Sequence, residues 1–287
     1  MNLGKFLLAV FFMAITQVLC AQNYYFRHYQ VENGLSNNAV ICSLQDRKGF
    51  LWFGTKDGLN RFDGYSFKIF RNDPDDSGSI GSNFVHSIFE DENGTLWVGT
   101  ENGLYQYQAH TESFSRVKGI DNGQIRAIQS DKKGNLWFIS GFTLCRYNIN
   151  IPQLQLYDIG HYFEATSLCL SSDNSIWVST VSGSLCKYQP GSNAFSYYDV
   201  FSHSGPVVAK WIETIYSTNN GKILIGTSNQ GAKIFDIASG NYKDILTYNP
   251  DKTEIFVRNF LQVSDQECWI ASENGIFIYN LSSRNVI

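Results

Sequence analysis

Asp46, Asp91, Asp131 and Asp173 recur along the 287-residue chain at the spacing of turns. Carboxylates in such a series could hold calcium or share acid and base roles in hydrolysis. Each is followed within three residues by Gly49, Gly94, Gly134 or Asn174, which is turn chemistry, so we read these acids as turn residues. The histidines at 28, 86, 110, 161 and 203 are isolated, without metal-ligand spacing, and no GxSxG, HExxH or phosphate-cradling glycine loop occurs. No catalytic residue, metal or cofactor is assigned. Cys42, Cys145, Cys169, Cys186 and Cys268 are odd in number and lack a CxxC pair; they read as small buried hydrophobes on strands, with a disulfide left open. Two stretches combine aromatic and polar residues: 160–164, and 201–206 running on to Lys210 and Trp211. Sugar faces stack on rings while their hydroxyls seek polar partners, so His161, Tyr162, Phe163, His203, Lys210 and Trp211 are the candidate ligand contacts. Blade packing is the alternative role for them.

The elements that must position these residues follow from a repeat. Trp52, Trp97, Trp137, Trp177, Leu224 and Trp269 occupy one column, with steps of 45, 40, 40, 47 and 45 residues. Around each, apolar residues alternate with period two and turn residues interrupt every few positions, which excludes helical solenoids. A period in the forties built from short strands predicts an all-β propeller of about six four-stranded blades. The blade cores are expected near 40–70, 85–117, 125–157, 165–198, 212–246 and 257–287. Gly49, Gly94, Gly134, Asn174 and Gly221 stand three positions before the column, where a hairpin turn needs a positive φ. Trp52, Trp97, Trp137, Trp177 and Trp269 are expected to form a ring of large side chains packed between adjacent sheets. Residues 24–30 resemble an outer strand, and lending it to the last blade would close the ring.

Aromatics at 15%, with 24 Gly and 5 Pro, suit sheet and turns, and a formal charge of -4 gives no basic stripe for nucleic acid. Residues 1–21 read as an export signal: Lys5, an apolar run from Phe6 to Ile15, then a small-residue end at Ala21. Lipidation at Cys20 is the alternative processing. No second apolar stretch is long enough to span a bilayer, so no membrane span is expected after signal removal.

The pattern Asp-x-x-Gly-x-Leu-Trp-x-Gly-Thr-x-x-Gly-Leu over Asp91 to Leu104, nearly repeated over Asp46 to Leu59, resembles the two-component regulator propeller repeat. The entry Val31 to Asn38 and the connector Asn72 to Asp76 leading to Ser82 and Asn83 resemble it too. The resemblance covers essentially the whole chain after residue 21. It implies the N-terminal periplasmic sensor portion of a Bacteroides-type hybrid two-component system, in which two seven-bladed propellers precede a β-sandwich, a membrane helix and a cytoplasmic kinase. It implies recognition of glycan fragments and, as partners, an oligosaccharide and a downstream kinase module or second propeller. Six repeats in place of seven imply a truncated or split member, the rival being a short six-bladed protein. The other functional readings are a secreted polysaccharide-active enzyme and a protein-interaction propeller.

Overall fold

The computed structural model describes residues 26–157, 163–202 and 209–286. The expected export signal, His161, Tyr162 and His203 lie outside them. The described residues are all β apart from one 3-10 turn at Val31–Asn33. Blade 1 holds β1 (Val40–Gln45), β2 (Leu51–Thr55), β3 (Gly58–Phe62) and β4 (Phe67–Phe70). Blade 2 holds β5 (Val85–Glu90), β6 (Leu96–Thr100), β7 (Gly103–Gln108) and β8 (Ser113–Arg116). Blade 3 holds β9 (Ile125–Ser130), β10 (Asn135–Ser140), β11 (Thr143–Asn148) and β12 (Gln153–Tyr157). Blade 4 follows with β13 (Ala165–Leu170), β14 (Ile176–Thr180), β15 (Ser184–Gln189) and β16 (Ala194–Asp199). Blade 5 has β17 (Ile212–Ser217), β18 (Lys222–Thr227), β19 (Ala232–Asp236) and β20 (Asn241–Leu246), and blade 6 has β21 (Val257–Gln262), β22 (Glu267–Ser272) and β23 (Gly275–Asn280). Every blade is an antiparallel meander whose strands pair in chain order.

The turn residues do what their types allow. Gly49, Gly94, Gly134, Asn174 and Gly221 all carry positive φ, between 58° and 89°. Asp46, Asp91 and Asp131 each use one carboxylate oxygen to accept two backbone N–H groups of the turn that follows. In blade 4 the equivalent residue is Ser171, not Asp173: the Trp177 indole donates to Ser171 Oγ at 3.1 Å. Asp173 sits two residues further on, paired with Lys187 at 3.0 Å. A hydroxyl performs the capping task there, so the acid count misplaces the column.

Trp52, Trp97, Trp137 and Trp177 each face the next blade. Trp52 packs edge-on against Tyr107, Trp137 against Tyr188 and Trp177 against Phe235, all with ring centroids 4.7 to 5.5 Å apart. Gly54 and Gly99 admit this close approach: a Cβ on Gly99 would lie 2.5 Å from the Ile125 carbonyl oxygen of the next inner strand. Ser179 replaces that glycine in blade 4, where its Oγ lies 2.9 Å from Thr166 Oγ1.

Five apolar cores join blades 1 to 2, 2 to 3, 3 to 4, 4 to 5 and 5 to 6. Among the described residues no sixth core joins blade 6 back to blade 1. Trp269 is only half-buried, unlike the four earlier Trp residues. Residues 26–30 are not the lent outer strand expected of them; they carry no strand. Instead Phe26 meets Trp269 of blade 6 at 6.4 Å and Tyr29 meets Phe62 of blade 1 at 4.9 Å, so this segment lines the seam with rings. The fourth-strand place of blade 6 is marked by a single bridge between Tyr279 and Val286.

Candidate ligand-binding site

All six inner strands carry an extra residue at the same place. The register to the second strand skips between Val40 and Cys42, Val85 and Ser87, Ala165 and Ser167, Ile212 and Thr214, and Val257 and Asn259. Blade 3 does the same near Ile125, opposite Phe138 and Ser140. A bulge of this kind re-aims one side chain out of the alternation. The re-aimed residues are Ile41, His86, Arg126, Thr166, Glu213 and Arg258, and all six line one cavity of about 280 Å³ on the propeller axis. Ala127, Ser167, Trp211 and Thr214 complete its wall.

The rim is built by a recurring bond that ties the turn between second and third strands to the entry of the inner strand. Glu101 N donates to the Phe84 carbonyl at 2.9 Å, Gly141 N to Gln124, Ser228 N to Trp211 and Glu273 N to Phe256. These bonds hold Phe84, Trp211, Glu101, Phe142 and Glu273 at one end of the channel. Phe142 and Trp211 meet there almost perpendicularly, with centroids 5.9 Å apart at 76°. Two ring planes at right angles offer a corner in which a sugar ring can stack on one face and abut the other.

The charges are unequally matched. Arg258 is held by Glu213 at 3.1 Å and by Glu273, and these carboxylates raise its pKa. His86 stacks on Phe84 at 4.0 Å, and its Nε2 lies 2.6 Å from Glu101 Oε2. Burial holds its pKa below the ordinary imidazole value, outweighing the opposing pull of Glu101. Arg126 lies over the Phe142 ring, 4.4 Å from its centroid, and donates through Nη2 to the Gly141 carbonyl. Its Nε is buried without a hydrogen-bond partner, and no carboxylate pairs with it among the described residues.

Of the contacts expected from sequence, Trp211 lies in the cavity wall. Lys210 sits at the surface with its Nζ 3.8 Å from Asp199. Phe163 is placed in the core between blades 3 and 4, against Phe195 at 5.3 Å, where its ring packs away from the cavity. His86, Arg126, Phe142, Glu213 and Arg258 were missed. One signal was present, since the six bulged residues repeat with the same steps of 45, 40, 40, 47 and 45 as the Trp column. Among the described residues no cluster of three His, Cys, Asp or Glu could hold a metal ion, and no helix is long and apolar enough to cross a membrane.

Comparison with known proteins adds to this geometry. An 80-residue stretch is 48% identical to histidine kinase P4 of Formosa agariphila, covering 28% of this chain and 6% of that one. The extracellular domain of a hybrid two component system from B. thetaiotaomicron superposes with a TM-score of 0.74 at 20% identity, over 87% of this chain and 32% of that structure. Virginiamycin B lyase from Staphylococcus aureus superposes with a TM-score of 0.70 at 12% identity, over 90% of this chain and 84% of the lyase. The chain thus spans about a third of the B. thetaiotaomicron structure and a small part of the kinase; at these identities the two structures speak for the propeller fold alone. The family model for the two component regulator propeller matches residues 34–57 and 79–102, the segments that turn from the inner strand into the Trp column of blades 1 and 2. Over those matched segments the chain is similar to two-component regulator propeller repeats, and the later blades continue the same period.

Proposed function

We propose that this chain is the exported, ligand-recognising propeller of a two-component signalling system, that it takes an oligosaccharide at the rim of the central channel, and that it turns nothing over. One observation carries the reading: six radial strands each deliver one bulged side chain to a single cavity, and two perpendicular rings stand at its mouth. Rigid strands positioning a few polar groups beside aromatic surface is the construction of a saccharide site. The match to regulator propeller repeats and the stretch shared with a histidine kinase support a downstream kinase module or second propeller as the partner that receives the signal. The apolar, Lys-headed residues 1–21 support export to the periplasm.

The test is titration of a panel of neutral and acidic oligosaccharides into the full chain, followed by amide hydrogen exchange on any complex. Saturable binding with protection around 84–86, 124–142 and 211–214, and unchanged saccharide on recovery, is the expected result. Failure of every saccharide to bind, or cleavage of one, sinks the reading.

A further inference from the structure

Within the cavity wall two guanidinium groups face one carboxylate. Glu213 is engaged by Arg258, which Glu273 brackets from its other side. Arg126 makes a direct ion pair with neither acid among the described residues, though Glu213 attracts it at longer range: one of its terminal nitrogens is spent on the Gly141 carbonyl, its face is spent on Phe142, and its Nε is buried without an acceptor. Removing a guanidinium from water without an opposing charge costs free energy, which an anion placed against it returns. Burial pulls the Arg126 pKa below its ordinary value, outweighing the opposing attraction of Glu213. On the same wall Thr166, Ser167 and Thr214 supply hydroxyls, and Glu213, the one carboxylate, is already paired with Arg258.

Resting on the saccharide reading above, we infer that the channel selects an acidic sugar, with Arg126 binding a carboxylate or sulfate group of the saccharide while the Phe142–Trp211 corner takes the ring. A planar guanidinium matches either oxyanion through paired N–H donors. Arg258 does not compete for that role, because its two carboxylates already occupy it.

The experiment uses two matched pairs of probes with the full chain: a tetragalacturonate and its methyl ester, and a sulfated galactan tetrasaccharide and its desulfated form. Calorimetry on the unaltered protein is expected to show one acidic member bound about tenfold or more tightly than its neutral mate, which also identifies the anion as carboxylate or sulfate. R126Q is expected to erase that preference, and R126K, which keeps the charge without the planar fork, to retain part of it. Equal affinity within both pairs, binding of neutral members only, or an R126Q protein that keeps the preference overturns the inference while leaving saccharide recognition standing. Binding of no saccharide, acidic or neutral, overturns the sensor reading and this inference with it. If R126Q does not fold, the matched-pair comparison on the unaltered chain and R126K decides.

Discussion

The Trp97 indole N–H donates to Asp91 Oδ2 at 3.0 Å while Asp91 Oδ1 accepts the N–H groups of Asn93 and Thr95, both at 2.9 Å. One buried carboxylate therefore fastens a surface turn to an interblade core. Trp52 on Asp46 and Trp137 on Asp131 repeat the arrangement. Replacing Asp91 by Ala leaves three donors without an acceptor, and is expected to lower unfolding free energy by about 2–4 kcal/mol. Asp91→Asn keeps the oxygen toward the turn but sets an amide N–H₂ against the indole N–H, for a loss of about 1–3 kcal/mol. Urea unfolding measures both; an Asn variant as stable as the parent would refute the role given to Oδ2.

Trp137 is fully buried between blades 3 and 4, whereas Trp269 borders the seam and is half-buried. Truncation of Trp137 to Ala is expected to cost about 3–5 kcal/mol, and the same change at Trp269 clearly less. Comparable losses at both sites would mean that the seam is packed like the other interfaces.

Trp211 touches Phe142 at the channel rim and borders the cavity. Trp211→Ala is expected to weaken saccharide binding about tenfold, ~1.4 kcal/mol, and to change unfolding free energy by less than about 1 kcal/mol. Calorimetry and denaturation together check it; a large stability loss would assign Trp211 to the core.

Burial is the main cause that lowers the His86 pKa, with Arg126 adding to it and Glu101 opposing. Above about pH 6.5 the imidazole is neutral in both the folded and the unfolded chain and contributes nothing. Below that the unfolded chain takes the proton first, so stability falls with pH until the lower folded value is passed. The difference between the parent and His86→Gln, followed by unfolding at successive pH values, is expected to show this loss in the parent alone. Parallel pH profiles would reject it.

The five thiols of the described residues are free. Burial raises Cys42, Cys145, Cys169 and Cys186 to about 12 and Cys268 to about 11. A thiol reagent at mildly alkaline pH is expected to label none of them rapidly until denaturant is added, since the thiolate is the reactive form. Prompt labelling of any of them in the folded chain would contradict it.

The repeat, the strand pattern and the positive-φ turns were legible because each is local: Trp97, Gly94 and Asp91 sit within seven residues of one another. The channel was not, although its residues recur at the same steps. Ile41, His86, Arg126, Thr166, Glu213 and Arg258 share no chemical type, and only the bulge, a property of the pairing with the second strand, gives them a common direction. The placement of Phe163 was not legible because an aromatic in a connector packs inward or outward according to the sheets around it. The ring-rich residues 26–29 misled in a related way: local pattern favours extension, but a strand also needs an edge to pair with, and Phe26 and Tyr29 are engaged through their side chains instead.

Ile41 and Arg258 stand on the two lips of the seam, and both reach into the bore. A washer cut at one point changes its inner diameter when the cut widens. The width of that seam therefore sets the spacing of Ile41 and Arg258 across the bore, and the rings of Phe26 and Tyr29 lie along it.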